Sequence, residues 1–342
     1  MALEVRWYDF PCFAIVAGAV VGSLWVLASR EGGEHRDDRT EYESLLMVAA
    51  PDGEGGGGTA PGTGHVGSAR LWTSCWRGLH PAWLLGLRLA AMVTMIGVLS
   101  WDILTYDPSI LLYYTEWTFT LVIVYFAIAT LISAHGCWIY SKQQISESEE
   151  ANGFLKRDFE QNRHATLTFR KNRNMDAVRL QSHHDQEVTE KRAGFWGYMM
   201  QIVYQTSAGA ALLTDVVFWG LLVPFLSSEH FSLNLLMGCM HSLNAIFLLL
   251  DTALNNLPFP AFRMAYFVLW SCIYVTFQWV LHACGFSWWP YPFLELGTPW
   301  APLWYFCMAL IHIPCYAFYW LIVKAKDTFL RKVFPDAFVT SS

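Results

Sequence analysis

Long apolar stretches alternate with polar segments along the chain, and seven of them are long enough to cross a membrane as helices. They lie at 10–29, 82–104, 110–139, 199–226, 232–257, 262–286 and 300–323. A hydrocarbon core about 30 Å thick is crossed by about 20 mostly apolar helical residues. Aromatic residues gather where the stretches end, as amphipathic rings do at the headgroup level. The pattern predicts an all-α fold, a multi-pass transmembrane helix bundle with seven spans.

The composition narrows the class of protein. Of the 342 residues, 54% are hydrophobic and only 15% are charged, whereas a soluble domain carries about 25% charged residues. A soluble globular protein is therefore excluded, and the 17 Trp and 23 Phe exclude a disordered chain. The net charge of -6 and the lack of a basic run exclude nucleic acid as a partner. The partner that the composition indicates is the lipid bilayer.

The cations are distributed very unevenly among the segments between the spans. Segments 30–81, 141–197, 258–263 and 324–342 hold 5, 10, 1 and 4 Lys and Arg, and only Arg6 and Arg88 lie elsewhere. Because cationic loops stay in the cytoplasm, we expect the amino terminus outside or lumenal and the carboxyl terminus cytoplasmic.

These segments divide the chain into six parts. We predict an amino-terminal transmembrane helix at 1–29, a flexible Gly-rich cytoplasmic linker at 30–81, transmembrane helices two and three at 82–140, a charged cytoplasmic loop at 141–197, helices four to seven at 198–324 and a cytoplasmic tail at 325–342. The adjacent His183 and His184 lack companion ligands at metal-site spacing, so we expect no metal and no cofactor.

Polar residues within the spans are expensive to expose to lipid, and we expect them to face the bundle interior. In the fifth span His241, Asn244, Asp251 and Asn255 share one helical face, and Asp215 ends a similar stripe in the fourth. Bonds between helices are the simplest explanation for any one of them. Arg88, near the cytoplasmic end of the second span, is expected to extend to the headgroups.

One pair of polar residues suggests chemistry. Thr118 in the third span and His241 in the fifth each lie about nine residues, or about 13 Å, from the outer ends of their spans. A hydroxyl becomes a nucleophile when a base such as a neutral imidazole is beside it. The two residues are therefore a candidate nucleophile and base in one cavity.

The sequence resembles the androgen-induced and rolling stone family of multi-pass membrane proteins, in particular its uncharacterised plant branch. The motifs that carry the resemblance match in order and spacing over roughly 80 to 330. They are Trp117-Thr118-Phe119, Leu233-Asn234, Met240-His241, His282-Ala283-Cys284-Gly285 and Tyr291-Pro292-Phe293-Leu294-Glu295. The resemblance implies a six-helix core, to which the span at 10–29 is an amino-terminal addition.

Some members of that family are intramembrane threonine hydrolases that cleave lipid esters, namely fatty acid esters of hydroxy fatty acids. By motif match the resemblance assigns the nucleophile to Thr118 and the histidine to His241, and Thr115, one turn earlier, is an alternative nucleophile. Asp102, His282 and Asn244 are then expected to line the same cavity as Thr115.

Two functions follow from the resemblance, because the rolling stone members are associated with cell fusion and adhesion. The first is hydrolysis of a lipid ester substrate. The second is a non-catalytic role in trafficking, adhesion or signalling through the loops. A transporter is less favoured, since the two halves of the chain lack evident sequence symmetry.

Overall fold

A computed structural model describes residues 6–47, 67–164, 193–226 and 235–339, which form helices joined by short turns. In chain order the helices are α1 (Asp9–Met47), α2 (Pro81–Tyr106), α3 (Tyr114–His164), α4 (Phe195–Val217), α5 (Val223–Leu226), α6 (Leu235–Met240), α7 (Leu243–Leu254), α8 (Met264–Ala283) and α9 (Ala301–Val333). A single π turn, Phe218–Leu222, joins α4 to α5. The all-α prediction is confirmed for the described residues.

Within the described residues, six helical segments are long and apolar enough to cross a membrane: Asp9–Glu31, Pro81–Tyr106, Tyr114–Ser146, Leu235–Leu254, Ala261–Ala283 and Ala301–Val333. The chain is therefore a multi-pass integral membrane protein with a helix-bundle fold. Helices α1, α3 and α9 continue beyond the predicted span ends, so the predicted loops begin as helix. Residues 48–66 and 165–192 of the predicted linker and loop lie outside the described residues.

The fourth predicted span is a helix, α4, that does not belong to this apolar set. It packs against α3, α7, α8 and α9, and 14 of its 23 residues are buried. Gln201 and Gln205 lie inside the bundle and bond Arg263 or backbone carbonyls. A helix surrounded by protein has no lipid-facing stripe to keep apolar, which explains its lower hydropathy.

Small residues let the neighbouring helices approach α4 closely. Five of them follow one another, Ser207-Ala208-Gly209-Ala210-Ala211, and a Cβ atom at Gly209 would lie 2.7 Å from Phe267 of α8. Such close approach is how helices associate in lipid, where hydrophobic burial does not drive their contact. The position of α4 at the centre of the bundle therefore depends on these residues.

One end of the bundle, here called the cap end, is closed by residues 67–80, 253–263 and 334–339. The amide of Cys75 donates to Leu254 O at 2.9 Å, and the amide of Val339 donates to Cys75 O at 2.8 Å. Lys326 donates to Thr252 O and Asn255 O at 3.1 Å each, which satisfies carbonyls at the carboxyl end of α7. The last part of the predicted flexible linker is thus built into the folded unit.

The opposite end of the bundle, here called the far end, holds residues 6–8, 106–113 and 286–297. Arg6 Nη1 donates to Gly297 O at 3.3 Å, and the ring of Tyr113 contacts the rings of Trp288 and Tyr291. Gly297 precedes α9 and Val339 follows it. Arg6 and Val339 therefore lie at opposite ends of the bundle.

A buried ion pair joins α2 to α7. Arg88 Nε donates to Asp251 Oδ1 at 2.8 Å, and both side chains are fully buried. Tyr125 and Asn255 donate to the other oxygen of Asp251, and Arg88 Nη1 donates to Ser133 Oγ and Leu71 O. The expectation that Arg88 extends to the headgroups is wrong, because a carboxylate inside the bundle compensates its charge. The expectation that the polar faces point inward is confirmed for Asp251 and His241 by their burial, whereas Asp215 is only partly buried.

Replacing Arg88 by Met is expected to destabilise the protein by about 3–5 kcal/mol, because it leaves Asp251 as an uncompensated buried charge. The double variant Arg88→Met with Asp251→Leu should recover part of this loss. Unfolding of the detergent-solubilised protein measures both. The control Arg77→Met changes an exposed arginine of the cap end and should stay within about 0.5 kcal/mol of the original protein. Equal stability of Arg88→Met and the control would contradict the role of the pair.

Candidate functional site

The fifth predicted span is broken at His241. Helix α6 ends at Met240 and α7 begins at Leu243, where the sequence predicts one continuous helix over 232–257. Two carbonyls near the break are bonded by side chains: Asn244 Nδ2 donates to Met240 O at 3.2 Å, and Trp219 Nε1 donates to His241 O at 3.4 Å. Irregular backbone at membrane depth is tolerated where protein satisfies it or where it lines a cavity.

The π turn Phe218–Leu222 holds the imidazole of His241. The ring of Phe218 stacks on it with centroids 3.6 Å apart and an interplanar angle of 7°. His241 Nδ1 is buried and has no hydrogen-bond partner. Single π turns often mark functional sites, and here the turn and the helix break meet at one histidine. Stacking and backbone bonding therefore fix this ring without engaging Nδ1.

Two adjoining cavities occupy the half of the bundle nearest the far end. The wider one, here called the vestibule, measures about 590 Å³ and is lined by Asp102, Glu116, Tyr113, Phe218 and neighbours. The narrower one, here called the chamber, measures about 90 Å³ and has a mostly apolar lining. Four residues line both cavities and form the neck between them: Thr115, Leu222, His241 and Tyr291.

The predicted site residues are distributed as follows. Thr115 and His241 lie together in the neck, and Asp102 lines the vestibule. Thr118 is fully buried, its Oγ1 has no hydrogen-bond partner, and it is not among the residues that line either cavity. Among the described residues, no hydrogen bond joins Thr115 or Thr118 to His241.

His282 and Asn244, which are expected to line the cavity, have other contacts. His282 at the far end faces Gln278 O at 2.7 Å and Trp288 O at 3.0 Å, and its ring stacks on Trp289 at 3.5 Å. Asn244 bonds the carbonyl at the helix break. Neither residue is among those that line the chamber or the vestibule. Their contacts fix the far-end loop and the backbone that carries His241.

Tyr291 of the far-end loop adds a hydroxyl to the neck. Burial raises the pKa of its phenol well above the ordinary value, and the nearby Glu116 raises it further, while interaction with Thr115 partly offsets both. The phenol therefore stays protonated at physiological pH. It is a hydrogen-bond donor beside Thr115.

Sequence reasoning missed polar residues of the chamber. His312 of α9, Ser271 of α8 and Tyr114 of α3 all line it. The signal was present for His312, because an ionisable residue inside a span suggests a functional site by itself. Ser271 carries no signal in sequence, since a lone serine is ordinary in a membrane helix.

The described residues contain no group of three or more His, Cys, Asp or Glu that could hold a metal ion. Comparison of the chain with protein families, with curated proteins and with solved structures finds no match in any of the three. The site must therefore be interpreted from its own geometry.

Replacing Asn244 by Leu is expected to cost about 1–3 kcal/mol, because the carbonyl of Met240 loses its partner inside the bundle. Amide hydrogen exchange should rise locally around residues 241–246. Ser100→Ala is the matched control, since that exposed hydroxyl bonds only a carbonyl of its own helix. Unchanged unfolding and exchange in Asn244→Leu would show that the break does not need this bond.

Proposed function

We propose that this membrane protein is an intramembrane hydrolase of neutral lipid esters. The observation that carries the proposal is the chamber, an apolar space inside the bundle to which two imidazoles and several hydroxyls converge. Nucleophilic ester hydrolysis needs a hydroxyl, a neutral imidazole as base and exclusion of bulk water. The chamber offers these groups in one place.

The resemblance assigns the nucleophile to Thr118 or Thr115 and the base to His241. In this assignment the threonine hydroxyl attacks the ester carbonyl carbon while His241 takes its proton, and the alcohol leaves with that proton. Water then releases the fatty acid from the threonine. Thr115 and His241 share the neck, whereas Thr118 lies outside the lining, so an approach of its hydroxyl to His241 must accompany substrate binding.

The lining favours an uncharged ester. Among the described residues that line the chamber or the vestibule there is no lysine or arginine, so a phosphate headgroup would find no counter-ion in this lining. His312 lies 11 residues into α9, about 16 Å from its far-end start. This depth suits an ester bond within an acyl chain, as in the fatty acid esters of hydroxy fatty acids that the resemblance implies.

The proposal includes a membrane topology of seven spans. Helix α4 supports it, because α4 starts beside Leu71 at the cap end and reaches the vestibule through Phe218. The cation-rich segments belong to the cap end, so this end faces the cytoplasm. The far end and its vestibule then face the outside or the lumen.

Two reporter cysteines test the sidedness. In a background without other cysteines, the exposed Cys284 at the far end should react with an impermeant maleimide in sealed vesicles whose outer face is the lumenal or extracellular one. A cysteine introduced as Arg77→Cys at the cap end should react only after permeabilisation. Native Cys75 is a poor reporter, since it is buried and burial raises the pKa of its thiol. The reverse pattern would overturn the orientation.

Filling the chamber tests the proposed function itself. Val275→Trp occupies the chamber from α8 and is expected to lower hydrolysis of a neutral lipid ester by about 10²-fold, because the ester can no longer take its reactive position. Hydrolysis by the purified protein in lipid nanodiscs is the measurement. Ile273→Trp is the control, since Ile273 lies on the same helix and is exposed on the bundle surface.

Equal hydrolysis by both tryptophan variants would place the reaction elsewhere. No hydrolysis by the unmodified protein across neutral lipid esters would favour the non-catalytic role in trafficking, adhesion or signalling. The comparison requires that Val275→Trp unfolds at the same temperature as the original protein. If Val275→Trp is less stable, Val275→Phe, which adds less volume, replaces it.

A further inference from the structure

A serine and a histidine are already hydrogen-bonded inside the chamber. Ser271 Oγ of α8 lies 2.8 Å from His312 Nε2 of α9, and both residues line the chamber. These positions are not part of the motifs that carry the resemblance. They lie 41 residues apart in the chain and meet only because α8 and α9 pack against each other.

The contacts of His312 determine which nitrogen carries the proton. His312 Nδ1 lies 2.6 Å from the carbonyl oxygen of Met308. A carbonyl only accepts, so Nδ1 carries the hydrogen of the neutral ring and Nε2 presents its lone pair. Ser271 is therefore the donor to Nε2. This is the arrangement of a nucleophile, a base and a third group that orients the base.

Ser271 Oγ has two other contacts, with the Tyr114 hydroxyl and the Phe267 carbonyl. The Tyr114 hydroxyl lies 2.8 Å from Ser271 Oγ, and since Ser271 gives its hydrogen to His312, Tyr114 is the donor of that bond. The carbonyl of Phe267, 3.3 Å from Ser271 Oγ, is a second acceptor for the same hydroxyl hydrogen, and the longer distance makes it the weaker of the two. Phe267 also packs its ring on the imidazole, with centroids 4.6 Å apart. The serine oxygen and the imidazole are thus both held in place.

Among the described residues, neither threonine is hydrogen-bonded to a histidine. Thr118 Oγ1 and His241 Nδ1 are both buried and have no hydrogen-bond partner in that part of the chain, so their pairing needs a rearrangement. The Ser271 and His312 pair needs none. Tyr291, a protonated donor in the neck, lines the same chamber.

We propose that Ser271 and His312 are the nucleophile and the general base of the chamber. Ser271 Oγ attacks the carbonyl carbon of the ester, and its proton passes to His312 Nε2. The bond between the carbonyl carbon and the alcohol oxygen breaks, and the alcohol leaves with the proton from His312. A water molecule then gives its proton to His312 and its hydroxide to the acyl group, which restores Ser271 and releases the fatty acid. This inference rests on the proposed hydrolase function and changes its nucleophile.

The experiment compares hydrolysis and covalent labelling by a fluorophosphonate probe in nanodiscs. Ser271→Ala and His312→Gln are expected to lose about 10⁴-fold or more in turnover, nearly equally, because a nucleophile and its base act as a unit. Peptide mass spectrometry should locate the probe adduct on Ser271. A merely structural role for Ser271 would not place the adduct there.

Two control variants separate chemistry from packing. Thr276→Ala removes a hydroxyl from the same helix that bonds only the Cys272 carbonyl at 2.8 Å, and it should keep full activity. Tyr114→Phe removes one bond to Ser271 and leaves the Ser271 and His312 pair, so it should lower turnover by much less than Ser271→Ala. If Tyr114→Phe loses as much turnover as Ser271→Ala, the hydrogen bonds among Tyr114, Ser271 and His312 serve packing, and this result would contradict the assignment of the pair.

The outcomes distinguish the inference from the function on which it rests. Retained turnover in Ser271→Ala, with loss in Thr118→Ala or Thr115→Ala and in His241→Gln, overturns the serine assignment and leaves a threonine hydrolase. A fluorophosphonate adduct on Thr115 or Thr118 would likewise overturn the serine assignment and leave a threonine hydrolase. Absence of both turnover and labelling in the unmodified protein overturns the hydrolase function, and the serine assignment with it.

Discussion

The pairing of Arg88 with Asp251 is the constraint on which the arrangement of the bundle depends. Two full charges inside a membrane protein are tolerated only when they compensate each other. Meeting that requirement brings Ser133 and Tyr125 of α3 to the same point as α2 and α7. Three helices and the backbone at Leu71 thus meet at the pair, and Arg88 Nη2 is the atom of the pair that has no hydrogen-bond partner among the described residues. Small residues on α4 then let that helix pack into the centre.

The two ends of the bundle differ in how closely their helices pack. Near the ion pair the helices are close together and loops cover them, which gives the cap end. Farther along, α7 begins only at Leu243, and the π turn Phe218–Leu222 follows the end of α4. Residues of both irregular segments line the vestibule and the chamber. The irregular backbone therefore lies at the end of the bundle that holds the two cavities.

The sequence predicts the helices well because length and apolarity are local properties. It also predicts that Asp251 faces inward, because exposing a carboxylate to lipid is costly wherever its partner lies in the sequence. It fails for Arg88, whose partner is 163 residues away and cannot be found by spacing. The break at His241 was also missed, because the side chains that replace its backbone bonds belong partly to another helix. The approach of Ser271 to His312 depends on the packing of α8 against α9. The periodicity of apolar residues along each helix does not show which residues of the two helices meet.

The cap has a consequence for biosynthesis. It joins residues 74–77, which precede α2, to residues 336–339, which follow α9. These partners cannot meet until every helix between them has entered the bilayer and found its neighbours. Closure of the cap is therefore a late event in assembly, and a chain with a misplaced helix would expose unpaired amides and carbonyls of the cap.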